Sequence, residues 1–249
     1  MIHDLRTIMW KEFKDLKQLL TGSFGQKAGL VFFLVVFGVF MPLQSGPAFR
    51  EAPFLLFVFS FMSLFSVIQV VPDSFAGERE RHTLETLLAT RLTDKGILFG
   101  KILTIIMYGW LMAVAIKILV LLTVNTAFSE GEIIFPSLPV LIASLLGGFL
   151  VSMFGTCTGV FISMKAPTVR HAHQSLAWLV MGIWFMPIMI GPILLRVIPQ
   201  ETIRQVTGAV KQINPVPILF AVNFLLLLVN LVILYFVLKR YKRTQLILS

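Results

Sequence analysis

The sequence is poor in charge. Asp, Glu, Lys and Arg make up 13% of its 249 residues, against about 25% in an ordinary soluble domain. Hydrophobic residues reach 57% and the mean hydropathy is +0.90; a soluble fold of this length could not hide so much apolar surface from water. The excess must face lipid, so the chain reads as an all-α, multi-pass membrane protein. Cysteine is nearly absent too. Cys157 stands alone in an apolar run, which excludes an internal disulfide and any cysteine-based zinc cluster. No G-x-x-x-x-G-K-[ST] phosphate loop occurs, so ATP hydrolysis is not expected on this chain. No nucleophile, base and acid come together in the sequence, so no catalytic residue is expected. No metal site or cofactor is expected on the chain either.

What is present is a series of apolar runs long enough, at about 20 residues, to cross a bilayer as helices. Six stand out: 28–48, 53–72, 102–124, 138–164, 175–195 and 217–238. The first is the least clean, with Pro42 near its end. Residues 1–27 carry acids, lysines and Trp10 and lack the apolar core of a cleavable signal peptide. No segment is polar enough to form a separate soluble domain, so 1–249 is taken as one domain.

Charge orients the runs. Segments 1–27, 73–101, 165–174 and 239–249 hold 16 of the 21 Lys and Arg, and the alternate segments hold 4. Basic loops stay on the cytoplasmic side, which places both termini and the 73–101 loop in the cytoplasm. The net charge of +9 is then a topological bias and calls for no nucleic-acid partner.

Two cytoplasmic segments carry pattern. Over 2–20, Ile2, Leu5, Met9, Phe13, Leu16 and Leu20 recur every three or four residues, with Lys11, Lys14 and Lys17 between them. This is an amphipathic helix of the kind that lies in the headgroup plane, either as a simple anchor or as a relay of motion. In the 73–101 loop, Thr83 can cap a short helix and Thr93 a second one that enters the third span. Leu84, Leu87 and Leu88 form a small apolar face among charges, suited to docking in a groove on a soluble partner or to a plain surface loop.

The loop also resembles a known family. Gly77-Glu78-Arg79-Glu80-Arg81-His82-Thr83-Leu84-Glu85, then Leu87-Leu88-Ala89-Thr90 and Gly100-Lys101, resembles the loop after the second span of ABC-2 type permeases. Six spans, cytoplasmic termini and an N-terminal amphipathic helix agree with that family along essentially the whole chain. The resemblance implies one permease half of an ATP-binding cassette transporter. Two such chains pair, as a homodimer here, and each meets a separate cytoplasmic ATPase subunit that carries ATP and Mg. It further implies that Glu78, Arg79, Glu80, Thr83, Leu84, Glu85, Leu87 and Leu88 belong to the coupling helix region contacting the ATPase. His82 departs from the pattern, since relatives often place a small residue such as Gly before the Thr. Arg91-Leu92 departs as well, where many have a Pro-containing turn.

Within the spans, polar residues are few. Lys117 is the only charge well inside one, ~22 Å above its cytoplasmic start at ~1.5 Å per residue. Either its stem snorkels to the outer interface, the more ordinary reading, or it serves substrate or gate. Ser60, Ser63 and Ser66 form a stripe continued by Gln69, and Asn223 and Asn230 share a face of the sixth span. Ser144, Gly148, Ser152, Gly155 and Gly159 allow close helix contact on the fourth. Packing is the ordinary role for all of these. In the family's fold the second and fifth spans line the pathway, which makes the serine stripe the preferred pathway candidate. His171 and His173 lie in a basic turn and read as solvated. Pro187, Gly191 and Pro192 are expected to break the fifth span, and the Arg196–Pro217 stretch resembles the family's re-entrant helices on the outer side.

The resulting expectation is a permease in the cytoplasmic membrane that exports an amphiphilic or lipid-like compound. A small-ion exporter and an ABC-powered scaffold that remodels the envelope are the alternatives.

Overall fold

The computed structural model describes residues 2–22, 24–45, 49, 54–83, 86–87, 89–129, 131–199, 201–202 and 214–241. Among them all regular structure is helical and no strand forms. The chain opens with α1 (Ile2–Thr21) and α2 (Phe24–Val35), which runs through a wider π turn at Val36–Phe40 into α3 (Met41–Ser45). Next come α4 (Leu55–Val58), a tight turn at Phe59–Phe61, α5 (Met62–Ile68), a tight turn at Val71–Ser74 and the short α6 (Ala76–Glu80). Four long elements complete the order: α7 (Asp94–Phe128), α8 (Leu138–Ser163), α9 (Val169–Val197) and α10 (Pro215–Arg240).

Among the described residues, four helical runs have the length and apolar composition to cross a membrane: Lys27–Ser45, Asp94–Phe128, Leu138–Ser163 and Pro215–Arg240. The chain is thus a multi-pass, all-α membrane protein. The segment expected as a second span is shorter, an apolar helix over Leu55–Ile68. At ~1.5 Å per residue this spans ~21 Å, less than the ~30 Å of a bilayer core. The expected break in α9 does not occur, and the helix runs on past Pro187, Gly191 and Pro192. Membrane helices tolerate such residues where neighbouring groups satisfy the freed carbonyls. Of the stretch expected to re-enter from the outer side, 203–213 lies outside the described residues.

Local chemistry explains the helix starts. Thr93 caps α7 as expected, its Oγ1 accepting from Gly96 N at 3.3 Å. Asn214 caps α10, accepting from Val216 N at 3.0 Å, and Pro215 occupies the first turn, where no N–H is needed. Lys239 and Arg240 sit in its last turn, the favourable end of the helix dipole for cations.

The centre of the fold is α8, which packs against α10, α7, α4 and α5. Its small residues make that approach possible. A Cβ at Gly155 would lie 2.6 Å from Leu64 Cδ1, and one at Gly159 would collide with Val71. The expected stripe of small residues therefore does serve helix contact, with the second apolar segment as its partner. The π turn of the first span has a similar reason. Gly38 lies there against Leu119, and its carbonyl accepts from Thr123 Oγ1 at 3.1 Å.

Candidate functional site

At the end of the bundle formed by α1, α6 and the start of α7, charged groups meet underground. Lys101 is 1% exposed, about two turns into α7. Its ammonium reaches Glu12 at 2.8 Å, Glu78 at 2.8 Å and the Ser74 carbonyl at 2.9 Å. Lys11 adds a second cation to Glu78 at 2.6 Å. Burial alone would raise the Glu78 carboxyl, but the Lys101 and Lys11 ammoniums outweigh it and hold the group below its usual range. Burial likewise pulls Lys11 down, and its bond to Glu78 and the charges of Glu78, Glu12 and Asp15 carry it above its usual value. Phe75, fully buried, lies under Lys101 with its ring centre 5.4 Å away.

The stripe of α1 that faces this cluster differs from the expected apolar face. Asp4, Ile8, Glu12 and Leu16 are four apart, so they share one side of the helix. Ile8 and Leu16 are buried, and Asp4 accepts from Thr93 Oγ1 at 3.0 Å. Leu16 belongs to the expected face as well, but Phe13 of that face is exposed, as is Trp10. A stripe that alternates acid and hydrophobe leaves no apolar periodicity to detect, which is why Ile8, Glu12 and the pairing with Lys101 escaped sequence reasoning. One signal was available: Lys101 is a cation already inside the helix that continues as an apolar span.

The loop residues expected to meet a partner divide into two groups. Three consecutive side chains anchor α6 to its neighbours. Glu78 turns to α1 and α7, as above. Arg79 donates to the Ala166 and Met164 carbonyls at 2.7 and 3.1 Å, in the turn between α8 and α9. Glu80 accepts from Val169 N at 2.9 Å, at the first turn of α9. Beyond them the chain turns outward. His82 has φ +54°, the left-handed region that side chains enter at a cost, and ends α6 where the resembling family often has Gly. Thr83 Oγ1 donates back to the Glu78 carbonyl at 3.3 Å. Of the expected helix after Thr83, Thr86 and Leu87 are described and both are helical; Leu87 is half-buried and its N–H donates to Thr83 O at 3.0 Å. Leu84, Glu85 and Leu88 lie outside the described residues. Arg81, His82, Thr83, Thr86, Ala89, Thr90 and Arg91 are exposed.

Deeper in the bundle, the polar residues named as pathway candidates converge on α8. Ser60 Oγ and Lys117 Nζ both donate to Ser144 O, at 2.8 and 2.5 Å. Asn223 donates to Ala143 O and Asn230 to Leu150 O, each at 2.9 Å. Ser63 reaches Gly148 O at 3.4 Å and Trp110 Nε1 reaches Leu145 O at 3.1 Å. A backbone carbonyl has two lone pairs and the helix uses one, so a side-chain donor can take the other; the Ser144 carbonyl is shared by Ser60 and Lys117. Lys117 does not snorkel. It is 3% exposed, and only the bare Gly148 backbone beside it leaves room for its head. Ser66 is buried with Oγ unpartnered among the described residues, and Gln69 is exposed and does not extend the stripe.

His171 is exposed and His173 half-buried; two residues apart on a helix, they point in different directions. No group of three or more metal-ligating side chains forms among the described residues. Comparison with protein-family models, curated proteins and solved structures finds no match to this chain.

Proposed function

We propose that the chain is the membrane-spanning subunit of an ATP-driven exporter of the ABC-2 type. In this reading two copies form the conduit, and two separate cytoplasmic ATPase subunits supply ATP, Mg and work. All six apolar segments, the short Leu55–Ile68 helix included, belong to the membrane domain. Both termini lie in the cytoplasm of a cell whose inner membrane holds the protein, as the distribution of Lys and Arg requires. The substrate class is amphiphilic or lipid-like, since the spans carry hydroxyls and amides but no pair of acids.

One observation carries this reading: Glu78, Arg79 and Glu80 tie the short α6 to α1, α7, the α8–α9 turn and α9, while the chain just beyond it is exposed. A force applied at 81–91 therefore has rigid routes into several helices at once. That is what a permease without its own phosphate loop needs from a coupling element. Burial of a leucine at such a joint yields ~1.5–3 kcal/mol, whereas exposed ion pairs give ~0–1 kcal/mol; the leucines would hold the ATPase and Arg81 would tune it.

The test is co-purification with a co-expressed cytoplasmic ABC ATPase from the same cell. Leu84→Asp and Leu87→Asp should each release the ATPase or uncouple its activity while helical content stays intact. Retention of both binding and ATP-dependent activity in both variants would remove 78–90 as the coupling element.

A further inference from the structure

Between α1 and the α5–α7 region lies a cavity of about 510 Å³, within the size range of small-molecule sites. Its polar wall carries the carboxylates of Glu12, Asp15, Asp73 and Glu78 against the cations of Lys101 and Arg81. Its apolar wall is Leu16, Val70 and Ile105, which belong to the main hydrophobic cluster of the bundle. The space thus joins an acidic surface to a greasy one at the edge of the membrane domain.

The Ser74 hydroxyl in this wall, which can donate or accept, is unpartnered among the described residues, and the exposed Arg81 has N–H groups to spare. Among the buried charged groups the capacity left over is an acceptor's. An ammonium has three donors, and Lys101 has three acceptors, in Glu12, Glu78 and the Ser74 carbonyl. It has nothing left to offer an anion. Arg81 is turned to Asp73 at 3.5 Å. Glu78, by contrast, has a side chain only 5% exposed, and its Oε2 has no hydrogen-bond partner among the described residues. A buried carboxylate oxygen without a donor is costly. The unmet need is for a donor, and preferably a charged one.

We propose that this cavity binds a primary alkylammonium: its N–H groups meet Glu78 and the neighbouring carboxylates, and its alkyl part lies on Leu16, Val70 and Ile105. The ammonium can belong to a free amphiphilic amine or to an aminated lipid headgroup. Because the site is complete within one chain, the inference does not depend on coupling to an ATPase.

The experiment uses the full chain in phosphatidylcholine nanodiscs, with calorimetric titration of hexylammonium corrected against empty discs. Saturable binding is expected. Hexyltrimethylammonium, which has the charge but no N–H, should bind at least tenfold more weakly, and hexyl sulfate should not bind. Glu78→Gln should weaken hexylammonium at least tenfold. Asp15→Asn, which loses a 3.9 Å contact with Lys11, should weaken it about threefold without loosening the fold. Competition by phosphatidylethanolamine added to the discs would identify the lipid headgroup as the source, and its absence the free amine. Absence of saturable binding would overturn the proposal, as would equal affinity for the trimethylated probe. So would unchanged binding in both Asp15→Asn and a helical, monodisperse Glu78→Gln.

Discussion

Lys101 and Lys117 sit on the same helix, and both are buried, yet their surroundings differ in kind. Around Lys101 the partners are mostly charged side chains drawn from α1 and α6. Lys117 instead meets a backbone carbonyl of α8, alongside serines and asparagines that use the same helix in the same way. Charged side chains in a cluster depend on one another, because removing one strands the rest without hydration. Neutral donors on a helix backbone are nearly independent, because each carbonyl keeps its intrahelical bond when the donor leaves. The cytoplasmic end should therefore be brittle and the membrane interior forgiving.

The sharpest way to break that contrast is Lys101→Met. Leaving Glu12 and Glu78 with only the half-exposed Lys11 as their cation should cost up to about 3–5 kcal/mol, the usual penalty for unpairing a buried charge. The double variant Lys101→Met/Glu78→Leu should recover much of the loss. Thermal unfolding in detergent, followed by circular dichroism, measures both. An equal loss in the single and double variants would mean that packing, not charge, sets the cost.

Acid tests the same cluster without a mutation. Glu78 is held below its ordinary value of 4.5, so its stabilisation is complete above that value and drains as pH falls through the lower folded one. Lys11 is held above its ordinary value of 10.5. Its contribution is complete below that value and is lost only as pH climbs past the folded one. The melting-temperature gap between the parent and Glu78→Gln should be constant across the neutral range and close below about pH 4.

Packing gives the next effect. A Cβ at Gly109 would collide with Val67 and approach Ser152 Oγ to 3.0 Å. Gly109→Val should cost about 1–3 kcal/mol, read as a lowered melting temperature. The polar ladder should respond less. Asn230→Leu and Ser60→Ala should each cost about 0.6–2 kcal/mol, the range for hydrogen bonds between membrane helices, and their effects should add. Strong non-additivity would show that the α8 donors form a linked network after all. Smallest is His82→Gly: relief of a left-handed strain of about 1–2 kcal/mol is partly offset by the extra freedom of Gly in the unfolded chain, about 0.5–1 kcal/mol, so a stabilisation of at most about 1 kcal/mol is expected in the same melting assay.

What could be read from the sequence was whatever depends on neighbours in the chain. The apolar runs of α7, α8 and α10, the Thr93 cap, and the shared face of Asn223 and Asn230 all follow from local spacing. So does the close contact along Ser144, Gly148, Ser152, Gly155 and Gly159. What could not be read was pairing across the fold. Glu12 and Lys101 are 89 residues apart, and nothing in their local patterns links them. The inward turn of Lys117 depends on Gly148 of another helix, so its own span could only suggest an escape to the interface. The serine stripe was visible as a stripe, but its direction, into α8 within the same chain, is set by how the helices stack.

The backbone acceptors of α8 have a consequence for how such a chain can change over generations. A carbonyl is supplied by every residue type, so side-chain replacements along α8 leave the acceptors for Ser60, Lys117, Asn223 and Asn230 in place. Selection would then press on the donors and on the few positions where bulk would push the helices apart. A donor lost at one position could be regained a turn away on the same face, opposite another carbonyl, with the helix pair still intact. The middle of this protein is accordingly free to drift in its lettering while its shape is inherited, and the cytoplasmic cluster, where each partner must be a particular residue, is not.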